Sequence, residues 1–263
     1  MDTFLDTLKQ VEEFAAENTV ALHCPVAGVE LNFKPLTVEQ TKQMLKSQID
    51  TSSDVVESGV ALANTYNNIV LQNCIEGKET ANGLSNIDKE VVLFGLRYAT
   101  DTKYTVEDKK VDLNVVNENI KTLKPDKKVI SASKTLKFKT GNIVVETSLP
   151  TIAKDTAYNR AVLRKVKSKK INDIVIEIYI AEACKYINKI IVNDTDINFN
   201  DATNVDNLIN ALQKLPSSVL NAVSSYITNV KNYRNTLFTV AFPRPMLLPA
   251  LFSPRPSWPP CHP

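Results

Sequence analysis

Apolar residues recur along this chain at two spacings, and each switch between them marks a change of element. Over residues 2 to 17 Phe4, Leu5, Leu8, Val11 and Phe14 keep a helical repeat opposite a charged face, which predicts an amphipathic helix within 1–18. Val20, Leu22 and Cys24 then alternate with Ala21 and His23. Val29, Leu31 and Phe33 alternate again after the punctuation of Pro25 to Gly28, which predicts a hairpin closed by Pro35, a residue unable to donate into a ladder. Thr37-Val38-Glu39-Gln40 has the T-x-x-Q form of a capping box and should start a helix. The polar stretch Asp50 to Ser53 and a second start at Asp54 split the region up to Cys74 into two helices. Val91, Val92, Leu93 and Leu96 predict a short helix over Asp88–Ala99.

Further along, Val129, Lys134, Leu136 and Phe138 precede Gly141-Asn142, and Ile143, Val144 and Val145 come after it. This pattern predicts a hairpin over 128–149 that turns at the glycine. Thr151 to Lys170 reads as helical. Ile171 to Asn188 alternates like a strand at Ile174, Ile176, Ile178 and Ile180, yet its breaker-free length exceeds ordinary strands and favours a helix. Ile190 to Val192 and Ile197 to Phe199 flank Asn193-Asp194 as a second hairpin. Thr203-x-x-Asp206 should cap a helix bearing Val205, Leu208, Ile209, Leu212 and Leu215, and Leu215-Pro216 separates it from a last helix through Val219, Leu220, Val223, Ile227 and Val230. The expected fold is α+β: amphipathic helices with interspersed β-hairpins in a body of residues 19–240, and no internal repeat.

Composition separates that body from the C-terminal segment. Eight of the 13 prolines lie in the last 21 residues of the 263, and no acid occurs after residue 240, so residues 241–263 read as a disordered Pro-rich tail. No apolar run is long enough to span a membrane, and the acidic start Met1-Asp2 does not resemble a signal peptide. Overall charge is +2, but it is unevenly spread: Lys103 to Lys170 holds 15 Lys and 2 Arg against 7 acids. Such a stripe suits either a solvated, mobile hairpin or a contact with nucleic acid or an acidic protein face. Its aromatics are few (Tyr104, Phe138 and Tyr158), which argues against single-strand binding by stacking and favours the solvated hairpin.

Candidate chemistry is sparse. Cys24, Cys74, Cys184 and Cys261 form no CxxC pair, so neither a zinc site nor a disulfide framework is expected, and buried thiols are. His23 is the body's only histidine, and its neighbour Cys24 should point to the opposite face of a strand, so the two cannot form a dyad. Phosphate-binding glycine loops are absent. Asp194-x-Asp196-x-Asn198 imitates the opening of a calcium loop, but Phe199 stands at the glycine position and Val205 at the closing glutamate position. The residues therefore predict no catalytic group, no metal and no cofactor.

Three stretches carry a resemblance. Leu31-x-Phe33-Lys34-Pro35-Leu36-Thr37-x-x-Gln40, then Lys185-Tyr186-Ile187 running through Ile191, Asp194, Ile197 and Phe199, and finally Leu215-Pro216 together resemble the baseplate hub family of T4-like contractile-tailed phages. The likeness extends from about residue 20 to 240. It implies a late, non-enzymatic α+β protein that docks onto other baseplate hub proteins, either as an assembly factor acting in the host cytoplasm or as a hub subunit retained in the virion tail baseplate. Phe33, Pro35, Leu36, Thr37, Gln40, Lys185, Tyr186, Ile197, Phe199, Leu215 and Pro216 are then its structural or interface candidates. The rival reading is a nucleic-acid-binding module using the 103–170 stripe. The family continues past its last helix into an acidic-apolar segment, from which Ala241-Phe242-Pro243 departs. A shifted reading frame or joined sequence would explain such a tail.

Overall fold

The computed structural model describes residues 10, 13, 17–49, 55–100, 105–106, 109–110, 113–168, 171–193, 195–201 and 203–241, with an α+β architecture. Of the helix expected within 1–18, Gln10, Glu13 and Glu17 are helical; the rest of that expectation, like the expectation for residues 242–263, lies outside the described residues.

Strands β1 (Val20–Cys24) and β2 (Val29–Phe33) form the expected hairpin, pairing Val20 with Phe33 and Cys24 with Val29. Their period of two sends Leu22, Cys24, Leu31 and Phe33 into the core. Helix α1 (Val38–Ile49) starts at the expected capping box: the Thr37 N–H donates to Gln40 Oε1 at 3.0 Å and the Gln40 N–H donates to Thr37 Oγ1 at 3.1 Å. Helices α2 (Val55–Asn73) and α3 (Lys78–Asn82) come next, then α4 (Asn86–Thr100). The last starts two residues before the expected Asp88 because Ser85 and Asp88 form a second capping box. There the Ser85 N–H donates to Asp88 Oδ2 and the Asp88 N–H to Ser85 Oγ, both at 3.2 Å. α4 lies tightly on β1. A Cβ at Gly95 would come within 2.3 Å of Leu22 Cδ2, so glycine is what allows the approach.

A short ladder, β3 (Thr105–Val106) with β4 (Lys109–Lys110), and helices α5 (Leu113–Thr122) and α6 (Lys127–Ile130) were not expected from the sequence. Asp126 explains α6, since its carboxylate accepts the Lys128 N–H at 2.8 Å and turns Lys128–Ile130 away from the strand expected there. Strands β5 (Ser131–Phe138) and β6 (Gly141–Ser148) come next, then α7 (Ile152–Ser168), α8 (Ile171–Lys185), β7 (Ile187–Val192), β8 (Thr195–Asn198), α9 (Val205–Lys214) and α10 (Ser217–Ala241).

Four expectations need correction. The hairpin turns at Lys139-Thr140, and Gly141, at φ 143°, opens β6 opposite Phe138. Nor does this hairpin stand free: β6 also pairs with β7, giving an antiparallel sheet of order β5-β6-β7-β8 in which Ile143 and Val145 are buried while the edge strands β5 and β8 stay largely exposed. Thr203 does not cap α9. Asp201 Oδ1 accepts both the Thr203 N–H and its hydroxyl, at 2.9 and 2.6 Å, so the chain turns before the helix and Asn204 becomes its first flanking residue. Helix α8 stops at Lys185 rather than running to Asn188, because Ile187 is drawn into the sheet opposite Thr147.

Three apolar clusters fill the molecule. One lies between the sheet and α7 to α10, around Val145, Tyr158, Ile187, Ile190, Phe199 and Ile209. A second joins the β1–β2 hairpin to α2 and α4 through Phe33, Ile69 and Leu93. The third gathers Val91, Val116, Ile120, Tyr226 and Val230, so α10 contributes to two clusters. No helix among the described residues is long and apolar enough to cross a membrane.

Candidate functional site

One antiparallel bridge, Ser85 with Thr151, ties the starts of α4 and α7 together. The Ile152 N–H donates to Leu84 O at 2.9 Å and the Asn86 N–H donates to Pro150 O at 3.1 Å. Both helices leave this bridge together, so residues one turn downstream meet: Lys89 on α4 and Asp155 on α7, 3.4 Å apart. Lys185, the last residue of α8, closes on the other carboxylate oxygen at 3.0 Å and reaches Glu182 at 2.6 Å. Asn67 of α2 donates to Asp155 at 2.8 Å and accepts from Lys89 at 2.8 Å, and Asn159 accepts from Lys185 at 2.7 Å. Four helices thus meet on one buried ionic network.

Burial by itself would raise the Asp155 carboxyl, but the Lys185 and Lys89 ammoniums overcome it and hold the acid well below the usual carboxylate range. For Lys185 burial opposes the charge, and Asp155 and Glu182 outweigh it, raising the ammonium above its ordinary value. Lys154, the neighbour of Asp155 in sequence, points elsewhere: its amine donates to Ile187 O and, at 2.9 Å, to Asn200 Oδ1. With no carboxylate beside it, burial lowers it to about 8. The three described thiols are buried and free. Burial pushes Cys184 up to about 12 and raises Cys24 and Cys74 as well. Asp88 is raised by burial against the hydrogen bonds it accepts from Ser85 and Val26, and its oxygens are committed to them. Among the described residues no three His, Cys, Asp or Glu side chains converge as a metal site requires. Asp194, which opens the calcium-like stretch, lies outside the described residues.

The outer face of α7 has a different character. A cleft of about 740 Å³ runs between α7, α2, α3 and the start of α9. Each of the three helices turns a polar pair at i, i+4 spacing into it: Asn68 and Gln72 from α2, Lys78 and Asn82 from α3, Arg160 and Arg164 from α7. Arg164 donates to Asp206 at 2.9 Å across the α9 end. Thr156 lines the cleft and accepts from Asn67 at 3.0 Å, so the ionic network lies directly behind the cleft wall.

The residues singled out from the sequence fall at three separate joints. Phe33 is fully buried and bridges to Cys74, beside half-buried Pro35 and Leu36. Gln40, besides capping α1 with Thr37, donates to Asn73 at 2.8 Å and so fastens the cap to the end of α2. Lys185 belongs to the ionic network, while the ring of Tyr186 meets that of Tyr226 edge-on at 6.3 Å. Phe199 is buried, its carbonyl accepting the Tyr158 hydroxyl at 3.3 Å, and Ile197 packs on the same cluster. Half-buried Leu215 and exposed Pro216 form the α9–α10 corner. None of these residues lines the cleft. The cleft residues carried only their i, i+4 pairing as a sequence signal, and that pairing suits any solvated helix face.

Comparison with protein families, with curated proteins and with solved structures finds no match to this chain.

Proposed function

We propose that this protein works by docking rather than catalysis, as a hub subunit or assembly factor of the baseplate hub of a contractile phage tail. The tail assignment rests on the resemblance carried by residues 31–40, 185–199 and 215–216. One observation supports reading that likeness as a shared scaffold: Phe33, Gln40, Lys185, Tyr186 and Phe199 each join elements distant in sequence, Gln40 through Asn73 and Lys185 through Asp155. Asp155, the most strongly held acid of the network, gives its oxygens to Lys89, Lys185, Asn67 and Asn159, which suits structure better than proton transfer. Other hub proteins are the partners on this reading, met in the host cytoplasm during assembly and, for a hub subunit, kept in the virion baseplate.

Deletion of the gene from the phage that carries it tests the proposal. Lysates examined by electron microscopy should lack tails with complete baseplates, and a plasmid copy should restore them. Normal contractile tails from the deletion phage would refute the proposal.

A further inference from the structure

The cleft on α7 is polar, cationic and open among the described residues. Arg164 is engaged by Asp206, but Lys78, Arg160, Asn68 and Asn82 find no hydrogen-bond or ionic partner among the described residues. Its volume of about 740 Å³ falls in the range of ligand clefts, about 300–1,000 Å³, but its lining does not suit an apolar small molecule. Leu71 and Val205 are its largest apolar side chains, and no aromatic ring lines it, which removes the stacking surface that nucleobases use. Carboxamides are what it has in excess. Each offers a donor and an acceptor side by side, the pair of groups that an extended main chain presents to its surroundings. Two unpaired cations among such carboxamides add a preference for negative side chains.

We infer that this cleft binds an extended acidic segment of a partner polypeptide, with Asn68 and Asn82 engaging its main chain and Lys78 and Arg160 its carboxylates. The inference deepens the docking proposal and rests on it: it names the chemistry of the segment through which a partner is held. A phosphorylated small molecule would use the two cations but leave the carboxamides idle.

The test uses the full chain and a fluorescent peptide of alternating Glu and Ser, with binding followed by anisotropy. The peptide should bind, a Lys-Ser peptide should not, and Lys78→Glu/Arg160→Glu should weaken binding at least tenfold. Both positions are exposed, so the fold tolerates the exchange. Lys134→Glu/Lys137→Glu on the exposed strand β5 changes net charge by the same amount and should leave affinity within twofold. No binding, equal losses in the two double variants, or displacement by inorganic pyrophosphate at concentrations where free glutamate has no effect would each overturn the inference. A negative titration beside a deletion phage without tails would refute this cleft and leave the docking proposal standing.

Discussion

Asp155→Asn tests the central claim about the ionic network, that a single carboxylate neutralises two buried ammoniums. Asparagine preserves the shape of the side chain and removes the charge. In the native protein the carboxylate lies 3.0 Å from Lys185 and 3.4 Å from Lys89, with 6 % of the Asp155 side chain exposed. At an effective dielectric near 20, each contact is worth on the order of 5 kcal/mol of gross attraction, most of it offset by desolvation. The net loss on deleting one partner of a buried pair is about 3–5 kcal/mol. Glu182 softens the effect, because it still faces Lys185 at 2.6 Å, although its own side chain is 48 % exposed. We therefore expect a loss near 3 kcal/mol, a substantial fraction of the roughly 5–15 kcal/mol that stabilises a folded domain. Urea unfolding followed by far-ultraviolet circular dichroism reads this directly. Adding Lys185→Met to Asp155→Asn should recover at least about 1 kcal/mol, because it removes a buried ammonium left with only the half-exposed Glu182 as its counter-charge. Acid adds a second readout. Asp155 is held below its ordinary value of 3.8, so its stabilisation is present above that pH and is lost as pH falls toward the folded value. The stability gap between wild type and Asp155→Asn should narrow below about pH 4. A loss under about 1 kcal/mol, or a double variant that loses the sum of its two singles, would refute the reasoning.

Gly95→Ala should destabilise by about 1–2 kcal/mol although alanine is the better helix former, because its Cβ would lie 2.3 Å from Leu22 Cδ2. Leu22→Ala in the Gly95→Ala background should cost less than Leu22→Ala alone; additive losses in thermal unfolding would show that the close approach is not the cause. For Lys154 the pH slope has the same sign as for Asp155, but here burial disfavours the charged form. Its folded value is lowered from 10.5 to about 8, so the unfolded chain binds more protons between those limits and stability from this group rises with pH across them. Lys154→Met should abolish that rise in the urea midpoint, and an unchanged pH slope would refute the assignment.

Some of this protein is legible in the chain because it depends on residues close in sequence. The Thr37–Gln40 box, the β1–β2 alternation and the Leu215-Pro216 corner each involve neighbours within a few residues, and the structure contains all three. Thr203-x-x-Asp206 shows the limit of the same logic: a valid local pattern is overridden by Asp201 on one side and by Arg164, 42 residues away from Asp206, on the other. The Gly141-Asn142 turn fails more narrowly, since the glycine is needed as the first residue of the strand after the turn. The basic stripe departs from a free hairpin for a tertiary reason. Standing alone, β5 and β6 would both be wet, but pairing with β7, some 40 residues further on, buries β6 and leaves only β5 exposed.

By itself the sequence determined the alternation of helices and hairpins, the capping of α1 and the change of composition after residue 240, because these rest on periodicity and on hydrogen bonds between near neighbours. Only the tertiary structure decided that Lys89, Asp155 and Lys185 form one network and that three ordinary polar helix faces enclose one cleft. Charge attraction and convergence depend on distance in space. Lys89 and Asp155, 66 positions apart, are brought within ion-pair range by the bridge between Ser85 and Thr151, and no spacing along the chain encodes that contact.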